Sequence, residues 1–145
     1  MHRMLLALAV LALSATGFAG ASPVPTIVTP DKTPWVAGTG PLAGTRVAVL
    51  SGDLQKPGPY TVRLELQPGT NFPPHFHGDT ENVTVISGSL WVGLGDRAQP
   101  SQMIELPAGS FVSVPQGIHH YAMAKQLTVI QIHGMGPFTL TFVKP

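Results

Sequence analysis

Residues 69–88 read GTNFPPHFHGDTENVTVISG, and the spacing of their polar residues decides the fold and the candidate chemistry together. His75 and His77 are two apart, so in an extended strand both imidazoles leave from one face and reach a single ion. Glu81 follows the tight Gly78-Asp79-Thr80 turn on a strand placed to pair back beside the histidines, which brings a carboxylate to the same ion. Beyond it Val83 and Val85 alternate with Asn82 and Thr84, the period of a half-buried strand.

Moving outward, GSFVSVPQGIHH over residues 109–120 supplies His120 from a remote strand. Three imidazole nitrogens and one carboxylate oxygen suit divalent Mn, Fe, Co, Ni, Cu or Zn, and octahedral geometry leaves two positions for water, oxygen or substrate. His119 is adjacent and points to the other face, as a surface or loop residue. Residues 118–133 read as two strands meeting near Lys125 and Gln126, because the second half alternates and is β-branched. There Gln131 and His133 share a face, either lining a pocket behind the ligands or standing as ordinary strand residues. Upstream, TVRLEL sets Val62, Leu64 and Leu66 against Arg63 and Glu65. Gly88 and Gly109 stand in turns flanking strands, where a backbone that a Cβ would block is common.

The whole chain is consistent with this reading. Its 145 residues include 16 glycines and 15 prolines, and only 10% are charged. Short strands between Gly/Pro turns predict an all-β sandwich or barrel in one domain, with little room for helix. Eight basic and seven acidic residues are scattered without a cluster, so no nucleic-acid footprint is present. Cysteine is absent, which excludes disulfides and thiolate catalysis. No Ser/His/Asp pattern, phosphate-cradling loop or dinucleotide fingerprint is found. No carboxylate other than Glu81 falls at a clearly inward position, leaving His133, Tyr60 and Tyr121 as candidate helpers.

The N-terminus places Arg3 before an apolar run from Met4 to Leu13 and small residues at Ala19, Gly20 and Ala21. This predicts a signal peptide over residues 1–21, cut after Ala21 or alternatively Ala19, and hence an exported, periplasmic or secreted protein without stable membrane insertion after cleavage. An uncleaved anchor is the competing reading. Residues 22–45, rich in proline and glycine, predict an extended arm that Trp35 packs onto a domain over residues 46–145.

The two motifs, Gly69-x5-His75-x-His77-x3-Glu81-x6-Gly88 and Gly109-x5-Pro115-x-Gly117-x2-His120, resemble those of the cupin superfamily. Ala124 stands where that family's second motif ends in Asn. The resemblance covers residues 69–124 and implies a jelly-roll β-barrel holding one divalent metal (Fe, Mn, Ni, Cu or Zn) through His75, His77, Glu81 and His120. It says little about reaction, since the fold hosts many chemistries. The expectation is a small metal-dependent enzyme, such as a dioxygenase of an organic small molecule with Glu81 as its catalytic carboxylate. The alternative is a non-catalytic periplasmic module for a metal or small ligand. Whether two barrels pair as a homodimer is left open.

Overall fold

A computed structural model describes residues 24–144. The signal-peptide reading and both cleavage positions lie outside the described residues. Eleven strands follow in chain order: β1 (Val36–Ala37), β2 (Arg46–Ser51), β3 (Gly58–Leu66), β4 (Asn71–Phe76), β5 (Glu81–Ser87), β6 (Ser89–Leu94), β7 (Ile104–Pro107), β8 (Phe111–Val114), β9 (His120–Met123), β10 (Thr128–Gly136) and β11 (Thr141–Phe142). Three short 3-10 turns are the only helical segments among the described residues.

The strands form two antiparallel sheets, a six-stranded one in the order β1-β2-β3-β10-β5-β8 and a five-stranded one in the order β11-β4-β9-β6-β7. This is the all-β jelly roll expected from the short alternating runs. Residues 118–133 divide into β9 and β10 as the switch of pattern near Lys125 predicts. Val62, Leu64 and Leu66 turn inward from β3 and meet Val83 and Val85 of β5 and Ile130 and Ile132 of β10 in one core. Each such side chain contributes about 1.5–3 kcal/mol by leaving water.

Within residues 22–45 the described part makes two 3-10 turns, and between them lies the edge strand β1, whose Val36 pairs with Val47. The Trp35 ring lies 5.3 Å from the Arg46 guanidinium carbon, a cation–π distance.

The strand carrying Glu81 differs from expectation. β5 does not pair beside the histidine strand β4 but lies in the opposite sheet, between β10 and β8. Alternation sets which face Glu81 occupies, and the tight turn after His77 carries the chain across the sandwich instead of back along the same sheet.

Candidate metal centre

The register of the five-stranded sheet explains how distant histidines meet. His75 on β4 is directly paired with His120 on β9, so both project from the same inner face. Their ring centroids lie 4.2 Å apart, and the His77 ring is 5.1 Å from His75 and 5.2 Å from His120. One nitrogen from each of the three lies within 4.8 Å of the others, and all three side chains are buried. Glu81 reaches this cluster from the facing sheet, with Oε2 at 3.4 Å from Nε2 of both His77 and His120. The structure thus brings together all four residues singled out by their spacing.

Backbone carbonyls orient the three rings identically. Nδ1 of His75 donates to Pro73 at 2.7 Å, Nδ1 of His77 to Thr139 at 2.6 Å, and Nδ1 of His120 to Ile118 at 3.1 Å. A carbonyl can only accept, so each ring carries its proton on Nδ1 and presents an Nε2 lone pair. Nε2 of His77 is, among the described residues, the one buried side-chain polar atom without a hydrogen-bond partner. An orphaned donor atom costs free energy unless something fills its place. The lone pairs and the carboxylate make a donor set that fits a divalent cation, with the outer hydrogen bonds usual for metal-binding imidazoles.

Electrostatics favour the same set. Burial alone raises the Glu81 carboxyl, but the adjacent His120 and His77 imidazoles prevail and hold it at about 2. His75 is lowered to about 4 chiefly by burial, against the pull of the Pro73 carbonyl. For His77 burial also pulls downward, yet the adjacent Glu81 carboxylate and the Thr139 carbonyl outweigh it and raise the value. Glu81 is therefore an anion at neutral pH and His75 a neutral donor.

The other candidates lie elsewhere. His133 is exposed, facing away from the core beside the inward Ile130 and Ile132, so it does not line the pocket, nor does Gln131 on the same outer face. His119 turns outward, as its place next to His120 requires, and contacts Asp96 at 2.6 Å while stacking on Phe76. Tyr121 packs against Gly93 on the outer face of its sheet and donates to the Gln99 carbonyl at 3.3 Å, away from the cluster. Tyr60 is buried edge-on against Phe138, raised to about 12 by burial first and by the charges of Glu81 and Asp79.

Thr139 is a participant that residue spacing does not indicate. Besides accepting from His77, it accepts the Gly78 backbone N–H on Oγ1 at 2.8 Å, tying the 137–140 segment to the turn between His77 and Glu81. Phe138 packs on the His77 ring, and with Leu140 it lines the small apolar cavity, about 40 Å³, onto which His75, Glu81 and His120 face. The alternation of Phe138 and Leu140 around Thr139 is the signal that could have marked this segment.

A jelly roll of two antiparallel sheets enclosing a three-histidine cluster defines a cupin. The chain belongs to the ChrR cupin-like domain family, whose model matches residues 24–139. It is 29% identical over 92 residues to Germin-like protein 5-1 of Oryza sativa subsp. japonica, a match covering 58% of this chain and 40% of that protein's length. Among solved structures, the polyketide cyclase RemF of Streptomyces resistomycificus superposes with a TM-score of 0.67 at 20% identity, over 84% of this chain and 87% of that one. A candidate acetylacetone dioxygenase of Methylibium petroleiphilum gives a TM-score of 0.65 at 18% identity, over 87% and 85%. These structural likenesses show the fold.

Proposed function

We propose that this chain is an exported metal-dependent cupin enzyme acting on an organic small molecule, with oxygen-using cleavage, as in a dioxygenase, as the reaction class. The observation that carries it is the common orientation of three buried imidazoles toward one buried carboxylate. His75, His77, His120 and Glu81 would hold one divalent cation, which supplies Lewis acidity and coordination sites for oxygen and a substrate oxygen. The three backbone carbonyls fix the tautomer of the imidazoles and aim their Nε2 atoms. The apolar walls beside them exclude water and strengthen every charge interaction within. Glu81 is the one carboxylate, among the described residues, that lines the cavity; with Oε2 turned to the imidazoles, Oε1 is the atom proposed to take a proton from substrate.

The same scarcity of titratable groups favours a second reading, a binding module without turnover. An oxygen-electrode and mass-spectrometric screen of the Fe, Mn, Ni and Cu forms against diketones and phenols separates the two. Oxygen uptake with a product, lost in Glu81→Gln more severely than metal content, supports the enzyme. Saturable binding without product in every metal form contradicts it. Export is supported by the charged-then-apolar order of residues 3–13, and sequencing the N-terminus of protein from the exported fraction tests it.

A further inference from the structure

The inner face of the five-stranded sheet does not end at the histidines. Leu94 on β6 is the direct cross-strand partner of His120, so the row His75, His120, Leu94 runs across three strands on one face. The neighbouring row continues from Ala122 to Val92 to Ile104 on the edge strand β7. Such inward positions are normally covered by the facing sheet. Here Leu94 is 68% exposed and Ile104 69% exposed, because the sheets part between the two edge strands β7 and β8. The parting leaves an apolar groove of about 340 Å³, walled by Val92, Leu94, Ile104, Leu106 and Val112. Val92 and Val112 also wall the cavity beside the metal ligands, so the two spaces adjoin through one pair of side chains.

The cavity at the ligands carries no Lys, Arg, Asn, Gln, Ser or Thr side chain in its lining, and the groove adds only Gln102. A charged or polyhydroxylated molecule would lose its hydration there without partners. We infer that the substrate is an uncharged, mainly apolar molecule with one oxygen-bearing end: that end faces His75, Glu81 and His120, while its apolar remainder passes Val92 and Val112 and covers Leu94 and Ile104. The inference rests on the enzyme reading above and adds the substrate class and the place of its apolar part. What assigns the groove to this occupant is its place beside the site, on the same sheet face through the paired residues His120 and Leu94 and against the shared valines.

The test is equilibrium binding, not turnover. The full chain loaded with Co(II) is titrated with 1,3-diketones whose alkyl tails lengthen one methylene at a time, the metal's absorption reporting occupancy. Affinity is expected to rise about fourfold per methylene over the first few, the equivalent of ~0.8 kcal/mol for each group leaving water. Leu94→Asp and Ile104→Asp should flatten that dependence, and their exposure allows the charge without disturbing the core. Ile104→Ser, a milder change, should flatten it in part. Affinity independent of tail length in the unmodified chain overturns the inference. So does a steep dependence that survives both Asp variants, including the case where those variants convert a dimer to a monomer and thereby show the groove to be an interface between copies. Tail-dependent binding without oxygen uptake by the iron form refutes the dioxygenase reading while supporting this one; oxygen uptake with tail-independent affinity does the reverse.

Discussion

Nε2 of His120 and Oε2 of Glu81 lie 3.4 Å apart although their strands belong to opposite sheets. The candidate centre is therefore a clasp between the two halves of the sandwich, with β4, the residue just past its end and β9 giving the imidazoles and β5 the carboxylate. An ion held there joins residues far apart in sequence, so its binding free energy adds directly to folding free energy.

The chelator response follows from that coupling. Metal bound only by the folded chain adds RT ln(1 + [L]/Kd), about 2.7 kcal/mol at a hundredfold excess over Kd. Thermal melts with and without chelator should differ by several degrees for the unmodified chain and barely at all for His120→Ala. Equal shifts in both would remove His120 from the ligand set.

Acidification of the metal-free chain should expose His75. Its value is lowered from the ordinary 6.5 to about 4 by burial, so its contribution is complete above 6.5 and lost as pH falls toward 4. The Glu81 carboxyl, lowered from 4.5 to about 2, contributes above 4.5 and loses its effect below that window. His77 is raised, so its contribution is present below 6.5 and lost as pH rises through its higher folded value. Urea midpoints should fall between pH 6.5 and 4, and His75→Gln should flatten that fall. A midpoint unchanged across this range in the unmodified chain would contradict the buried, neutral state of His75.

Gly88 and Gly109 both adopt left-handed φ values, 74° and 88°, but their surroundings differ. A Cβ on Gly88 would run into the Leu127 carbonyl oxygen and stand 2.9 Å from Thr128 Cα, whereas one on Gly109 meets open space. Gly109→Ala should cost about 1 kcal/mol for the backbone conformation alone, and Gly88→Ala clearly more because strand β10 must shift. Denaturant melts of the two variants check the order, and neither should change metal selectivity.

Thr139→Val keeps the carbonyl that orients His77 but removes the hydroxyl that accepts from Gly78. Gly78 lies at the surface, so its freed N–H turns to water and the loss is only about 0.5–1.5 kcal/mol, but the turn between His77 and Glu81 loosens. Metal affinity should drop by a few-fold, because the turn that sets His77 against Glu81 is no longer pinned, about 0.5–1.5 kcal/mol for one such hydrogen bond. Thr139→Ser should restore it. Competition with a chelating dye reads both, and equal affinities for the Val and Ser variants would show that the hydroxyl positions nothing.

Much of this candidate centre was legible in the sequence because its residues sit at short fixed spacings on or beside strands: His75 and His77 share a face by period alone, and His120 follows a proline–glycine turn. The sheet to which Glu81 belongs was not legible, since alternation fixes a face but not a hydrogen-bonding neighbour. His133 was ambiguous between two faces of one strand. The larger β-branched set, Ile130 and Ile132, turned inward and left Gln131 and His133 outside. The alternation of Phe138 and Leu140 marks the segment, but the role of Thr139 was not legible because it acts on His77 through a carbonyl every residue possesses, and only the folded path of residues 137–140 brings it there.

Metal content per chain tests the central claim most directly. The purified chain is equilibrated in turn with Fe(II), Mn(II), Ni(II), Cu(II) and Zn(II), freed of excess ion and analysed by mass spectrometry, beside a chain carrying both His75→Ala and His77→Ala. The account predicts one tightly held ion per unmodified chain and none in the double variant, whose fold circular dichroism can verify. One tightly held ion in the double variant would place the metal elsewhere and contradict the assignment of this centre.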